Sequence, residues 1–591
     1  MLRHTLIAAA FALCATAQAT AQTQTVETRY GGGDRVSGAP WATRSPVIAP
    51  HGAAATAHPL ATQIAIDVLK DGGSAVDAAI AANAMLGLVE PTGNGMGGDV
   101  FAIVWDPRTK KLHGYNGSGR SPQGLDLETL RRVAREKGGG YIPSFGAAAV
   151  TVPGTVDGWY ALHGRFGRLP MRRLLQPAID YAENGAPIPQ TIAFYWANNQ
   201  RRLERAFAER QLEEIENARR TYWPNGVTPA AGSLFHNPDL ARTLRALQRG
   251  GRRAFYEGPV ARATDAYMRR IGGWLRYEDF VAHHGEWVDP LCVDYRAGVS
   301  LCELPPNTQG VSALQMLQIL RGYDMRALGF QTADSLHVQI EAKRLVFADR
   351  AKYFADPAFA LADLNRLIAP GYADQRRAMI RMDRAMDTPD AGPDVLRRGD
   401  TTYFTTADAN GMMVSIIQSN YRGMGSGLVP DGLGFMLQDR GELFALTDGH
   451  ANIYAPRKRP FHTIIPAFAL RNGEPWLAFG LMGGDVQPQG HVQIILNIVD
   501  YGLDVQAAGD AARWRHGDDA EPTGEPPQDK GKVFLETGFT PAVREALRAR
   551  GHDVRPGDGS FGGYQAIMRD AERGVYVAAT EMRKDGAADG Y

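Results

Sequence analysis

Thr401 is the residue through which chemistry can enter this chain. It stands in the run Gly399-Asp400-Thr401-Thr402-Tyr403-Phe404-Thr405, a polar step into a β-branched and aromatic strand. In an unbroken chain such a threonine is strand filler. If the backbone is cut between Asp400 and Thr401, the same residue carries a hydroxyl nucleophile and an α-amino base. Its neighbours follow from a hairpin. Residues 402–407 and 412–421 read as strands flanking Asp408-Ala409-Asn410-Gly411. A two-residue Asn410-Gly411 turn sets Ser419 against Thr402. A three-residue loop, 409–411, sets Ser419 against Thr401. Asp408 at the first turn position and Gly411 at a left-handed one favour the longer loop. Directly opposed residues have Cβ atoms about 4.5–5.5 Å apart, close enough for two hydroxyls to meet. Tyr421, two residues on, shares that face.

Other elements must hold this hairpin in place. The spacing of Leu60, Ile64, Val68 and Leu69 predicts a helix from about Pro59, where order is expected to begin, and Gly72-Gly73 stops it. Ser74 with Asp77 forms a capping box for a second, Ala-rich helix over 75–88 that Glu90-Pro91 ends. The loop Thr92-Gly93-Asn94-Gly95-Met96-Gly97-Gly98-Asp99 then leads into a strand, 100–105. It lacks phosphate-loop spacing, and the order is helix–loop–strand, so close backbone packing is the better account of its glycines. Residues 154–290 read as mostly helical, and 312–320 and 335–353 as further amphipathic helices. Residues 380–400 are polar, with Pro389 and Pro393, and read as an exposed linker ending at Asp400.

The bulk numbers exclude some functions. The 591 residues carry 64 Lys plus Arg against 64 Asp plus Glu, so no global charge favours nucleic acid or an anionic membrane. At the N-terminus, Arg3 and His4 precede an apolar run, 6–14, and Ala19-Thr20-Ala21 fits a cleavage site. Residues 1–21 therefore read as a secretory signal peptide, too short to span a bilayer, of a protein exported to the periplasm without a membrane anchor. Cys292 and Cys302 then remain, in two short strands about a turn near residue 297. Export allows a disulfide between them, and two small buried apolar residues is the alternative. With no histidines suitably spaced, they make no zinc site. No metal or organic cofactor is implied.

The chain resembles the γ-glutamyltranspeptidase (glutathione hydrolase) family of N-terminal-nucleophile hydrolases over about residues 47–591. The resemblance rests on ordered motifs. They include Gly72-Gly73-Ser74-Ala75-Val76-Asp77, Gly95-Met96-Gly97-Gly98, Pro305-Pro306-Asn307-Thr308-Gln309-Gly310, Asp349-Arg350, Asp400-Thr401-Thr402, Gly425-Ser426-Gly427, Arg459-Pro460, Gly483-Gly484 and the terminal Asp585-Gly586 to Tyr591. It implies an α+β fold, a four-layer αββα sandwich. It also implies a proenzyme that cuts itself at Asp400-Thr401 into a large subunit, 22–400, and a small one, 401–591, which remain together as a heterodimer. Thr401 would be the nucleophile, Ser419 would match the family's second threonine, and Gly483 and Gly484 would match the oxyanion-hole pair.

The departures fall in the substrate pocket. Ser118 takes the place of the family's carboxylate-gripping arginine, with Arg120 two residues away as a substitute. Tyr421 replaces an asparagine, Arg440 and Leu443 replace the glutamine and aspartate that hold an α-amino group, and His462 and Thr463 replace two serines. The segment 443–457 is short, so the family's lid is expected to be reduced. Leucine cannot pair with an ammonium, and Arg440 repels one while attracting a carboxylate. The expected partner is thus a small-molecule amide bearing a carboxylate. Glutathione hydrolysis or γ-glutamyl transfer is the family default, hydrolysis of an oxamate-like or acyl amide is the rival, and an uncut periplasmic binding protein is the non-enzymatic alternative.

Overall fold

The computed structural model describes residues 30–31, 34–35, 42–359, 363–387, 400–517, 522–524, 530–557 and 559–591. The targeting segment and linker residues 388–399 lie outside them. Two seven-stranded sheets dominate. The first runs, edge to edge, through Ala587–Gly590, Ala53–Thr56, Asp400–Ala407, Met413–Tyr421, Asp99–Asp106, Lys111–Asn116 and Glu286–Val288. The second runs through Leu291–Asp294, Val299–Glu303, Ala467–Arg471, Glu474–Leu481, Tyr564–Asp570, Val575–Thr580 and Val47–Ala49. Neighbours in both sheets pair antiparallel.

Strand alternation builds the layers. In the first sheet, Phe101, Ile103, Trp105, Tyr403 and Ile417 point to the second sheet and meet Phe468, Ala478 and Ile567. Their neighbours Val100, Ala102, Phe404 and Ile416 point outward, into the core under helices Pro59–Lys70 and Ala75–Val89. The outer face of the second sheet packs Leu301, Ala469 and Phe479 with residues of helices Gly310–Leu320, Ala333–Tyr353 and Val486–Val499. The result is the four-layer αββα sandwich expected. Helix Ala75–Val89 is buried along nearly its whole length, and its capping box from Ser74 and Asp77 is present.

Some local expectations need correction. Order does not begin near Pro59, because strands Val47–Ala49 and Ala53–Thr56 precede it, one in each sheet. The start of the polar linker is also packed. Ala385 is buried and its N–H donates to the Arg550 carbonyl at 2.7 Å, while the Met386 N–H donates to Glu341 at 2.7 Å. Polar composition hid these backbone anchors. Cys292 and Cys302 are directly opposed and joined as a disulfide, with Cα atoms 4.1 Å apart.

The glycine loop behaves as a packing device. A Cβ on Gly98 would collide with the Ser419 carbonyl oxygen and the Asn420 and Gln418 side chains, whereas one on Gly93 would stop 3.4 Å from the Thr401 nitrogen. Overpacking of this kind typically costs about 1–3 kcal/mol. Gly98→Ala is therefore expected to lower the denaturant midpoint clearly, and Gly93→Ala to lower it less. Equal midpoints for the two variants would contradict the close approach at residue 98.

Candidate active site

The hairpin carries the pairing that brings the candidate nucleophile to its neighbour. Ala407 pairs Met413 and Thr402 pairs Gln418, and the Asp408 N–H reaches the Met412 carbonyl at 3.0 Å, which leaves the three-residue loop 409–411. Asp408 Oδ1 accepts from the N–H groups of Asn410 and Met412, and Gly411 has φ +86°. The register then slips. Asp400 pairs Tyr421, so Ser419 and Asn420 together face Thr401, and the extra residue of this bulge lies on strand Met413–Tyr421. Direct opposition of Thr401 and Ser419, as the hairpin alone suggests, is thereby replaced by a bulged contact. The Thr401 Oγ1 still lies 3.4 Å from Ser419 Oγ, and both residues are buried. Ser419 Oγ also accepts the Tyr421 N–H at 2.8 Å. Tyr421 sits at φ +77°, a left-handed conformation that costs a non-glycine residue about 1–3 kcal/mol and here is held by buried surroundings.

The glycine loop backs this contact. The Gln418 side chain accepts from the Gly95 N–H and donates to the Gly95 carbonyl, and the Asn420 N–H donates to the Gly93 carbonyl. Thr402 Oγ1 donates to Glu90 at 2.8 Å. Gly483 and Gly484, at φ +114° and +62°, form the turn between strand Glu474–Leu481 and helix Val486–Val499. That turn is braced from below. Gln309 donates its side-chain amide to the carbonyls of Gly484 and Thr463, and Arg350 bonds both Gln309 and Asp485. Gln309 and Arg350 lie in motifs visible in the sequence, but their bracing role needs contacts between distant segments.

The departing pocket residues divide into two groups. Arg440, Tyr421, Thr463 and His462 come together. The Arg440 guanidinium lies 4.3 Å from the Tyr421 ring centroid and donates one Nη1–H to Thr463 Oγ1 at 2.8 Å. It is fully buried, and its Nε and Nη2 have no hydrogen-bond partner among the described residues. Burial pushes Arg440 down to about 10, against the charges of Tyr421, Asp99 and Asp439, so it stays cationic at neutral pH. Leu443 packs with Tyr421, Phe461 and Phe354. Arg120 does not join this group. Its guanidinium turns to Glu286 at 3.0 Å, which also holds Arg459 at 2.8 Å, so the suggested substitute for the family arginine is engaged on an edge strand.

Asp99 is the residue the sequence did not single out. It pairs with Ser419 across the central strands, so Thr401, Ser419 and Asp99 form a row on the face between the sheets. Its Oδ1 accepts from the N–H groups of Gly119 and Gly154 and from Gln438, and its Oδ2 meets His462 Nε2 at 3.0 Å. Burial lifts the carboxyl to about 7, against the Arg440 charge and these donors. Burial, with the Arg440 charge, pushes His462 well below its usual value. The contact is thus a hydrogen bond to a neutral imidazole, and the His462 ring also lies edge-on to Phe101. Only a strand register linking residues more than three hundred apart reveals this row.

A four-layer sandwich with a threonine at the start of an inner strand, a second hydroxyl beside it and a glycine turn at a helix start defines the N-terminal-nucleophile hydrolase class. The family model for γ-glutamyltranspeptidase matches residues 61–591, and the chain belongs to that family. It is 36% identical over 540 residues to a glutathione hydrolase-like YwrD proenzyme of Bacillus subtilis, covering 90% of this chain and 97% of that protein. It is 34% identical over 560 residues to an oxamate amidohydrolase proenzyme of Klebsiella pneumoniae, covering 92% and 99%. The crystal structure of a cephalosporin acylase from Bacillus halodurans superposes with a TM-score of 0.84 at 39% identity, over 93% of this chain and 97% of that one.

The raised Asp99 carboxyl has a signed consequence. An unfolded aspartate titrates near 3.9. Below that pH both states are protonated and the group contributes nothing. Between about 4 and about 7 the unfolded chain ionises while the folded one keeps its proton, so stability falls as pH rises, and above about 7 the deficit is constant. Its ceiling is about 4 kcal/mol, taking one pKa unit as about 1.4 kcal/mol. Asp99→Asn is expected to match the parent near pH 4 and to exceed it at pH 8 in urea midpoint. A gain that is the same at both pH values would overturn the assignment.

Proposed function

We propose that this protein is an exported, self-cleaving amidohydrolase that uses Thr401 as its nucleophile and takes small amides whose acyl group bears a carboxylate. The observation that carries the reading is the buried 3.4 Å contact between the Thr401 and Ser419 hydroxyls, at a bulge on the junction itself. In the uncut chain, Thr401 Oγ1 attacks the Asp400 carbonyl carbon, the peptide C–N bond breaks, and an ester links the two segments. Water hydrolyses that ester, leaving a carboxylate on Asp400 and a free amine on Thr401.

The mature site then runs the same chemistry on a substrate. The Thr401 α-amine, with an unperturbed pKa of roughly 7.7–8.0, takes the hydroxyl proton as Oγ1 attacks the amide carbon. The N–H groups of the Gly483-Gly484 turn receive the developing oxyanion, each such donor contributing about 2.7–4 kcal/mol of barrier lowering in comparable sites. The ammonium returns its proton to the leaving amine, and water releases the acyl group. Ser419 orients the nucleophile.

Arg440 supports the choice of acyl group. Cleavage frees residue 400 from its pairing with Tyr421, whose ring carries the Arg440 guanidinium. Two guanidinium nitrogens there can take a carboxylate. A γ-glutamyl ammonium 4 Å from that charge would be repelled by about 4 kcal/mol at an effective dielectric of about 20, with Leu443 offering no counter-charge. The relatives named oxamate amidohydrolase and cephalosporin acylase agree with a site of this kind.

Purified protein is expected to give two bands on a denaturing gel, the smaller starting at Thr401, and Thr401→Ala to stay whole. A single full-length band from active preparations would sink the mechanism, and one from inactive preparations would favour a binding protein. In parallel assays, oxamate or a glutaryl amide is expected to outrun a γ-glutamyl anilide. Arg440→Gln is expected to lower kcat/KM on the preferred substrate by about ten- to a hundredfold, the worth of a charge-assisted hydrogen bond. Strong turnover of the γ-glutamyl anilide would instead restore glutathione hydrolysis as the function.

A further inference from the structure

A cavity of about 710 Å³ opens beside the Gly483 turn. One wall is a face of helix Gln190–Ala208, from the part of the chain before the junction. Tyr195, Asn198, Asn199, Arg202 and Arg205 recur there at helical spacing, with Arg201 at the rim. The other wall comes from the part after the junction, including Gly483, Arg422, Arg515 and Lys584. The helix abuts the nucleophile's hairpin closely, since a Cβ on Gly423, two residues past Tyr421, would collide with the Asn199 side chain.

The charge of this lining is one-sided. Arg201, Arg202, Arg205, Arg515 and Lys584 line the cavity together with Arg422, whose charge Glu442 takes, and among the described residues the one carboxylate in the lining is Asp485, itself held by Arg350. The chain as a whole balances 64 cationic against 64 anionic residues, so the imbalance is local to the cavity. Arg201 and Arg205 are exposed and take no carboxylate partner among the described residues. Cations concentrated in a concave site raise the local concentration of anions and steer them inward.

Which part of the substrate meets this wall follows from the order of events. The acyl group stays on the enzyme after the first step and belongs on the enclosed side, where Arg440 is buried. The leaving amine must depart and water must enter, so both use the open side, where Gly483 meets the cavity. We propose that the leaving amine carries at least two carboxylates, as the amino end of an acidic peptide does, and that Arg201, Arg202 and Arg205 set this preference. The inference rests on the amidohydrolase reading above and adds the second half of the substrate.

The test uses two amides of one acyl group, that of the substrate turned over best. One has Glu-Glu as its leaving group and the other Gln-Gln-amide. Wild type is expected to favour the acidic amide by about ten- to a hundredfold in kcat/KM at low salt, with the ratio falling as ionic strength rises. The triple variant R201Q/R202Q/R205Q is expected to bring the ratio near one. A control removing three exposed arginines elsewhere, R132Q/R135Q/R220Q, is expected to keep it. No preference in wild type, or a preference that survives the triple variant, overturns the proposal while leaving the amidohydrolase intact. If neither amide reacts while that best substrate does, a peptide leaving group is ruled out and the proposal is overturned in that form, and calorimetry with free Glu-Glu decides the anion site separately. Binding lost in the triple variant supports the site, and no binding by wild type removes it.

Discussion

The hairpin of strands Asp400–Ala407 and Met413–Tyr421 keeps one register from its turn up to Thr402 and then slips by a residue before Asp400. That slip governs what the fold can do at this place. A regular ladder would leave Thr401 as one rung among many, its backbone held by the sheet. Here Ser419 and Asn420 both face Thr401, and the extra residue bends the partner strand. The left-handed Tyr421 on that strand accommodates the bend and gives its own N–H to Ser419, which fixes the serine hydroxyl beside the threonine. The glycine loop, the Gln418 amide and Glu90 then hold both strands from the outer side.

A second constraint is electrostatic. The space between the sheets beyond Ser419 holds Asp99, His462, Arg440 and Asp439, all buried. Burial disfavours each charged form, and the group resolves the conflict unequally. The carboxyl of Asp99 shares a hydrogen bond with a neutral imidazole, and the Asp439 carboxyl is pushed well above its usual range by burial and by Glu442. Arg440 alone remains firmly charged. With the neighbouring Arg422 already paired to Glu442, the Arg440 charge beside two muted acids is an arrangement suited to an anion and unsuited to an ammonium.

What the sequence disclosed was local. The loop length 409–411, the capping box at Ser74 and the disulfide-forming hairpin of Cys292 and Cys302 depend on a few adjacent residues, and each stands as a reader of turn and cap chemistry would place it. The bulge opposite Thr401 was not legible, because it goes with the left-handed Tyr421 and with the loop 92–98 packed behind it. Asp99 was hidden for the same reason, being placed by a strand register rather than by neighbours in sequence. Arg120 shows the opposite error. Lying two residues from Ser118, it was a candidate to substitute for the family arginine whose place Ser118 takes, but strand Glu286–Val288 lies alongside and takes its charge.

Both sheets mix strands from either side of residue 400. The first takes Ala53–Thr56 and Asp99–Asp106 from before it and Met413–Tyr421 from after, and the second sets Val47–Ala49 beside Val575–Thr580 and Val299–Glu303 beside Ala467–Arg471. Two pieces produced by a break there would be interleaved like the fingers of clasped hands. They could not drift apart without dismantling the whole body, so no dissociation constant would describe them. Each piece would lack its sheet neighbours without the other, so a chain that opened there would have to fold first.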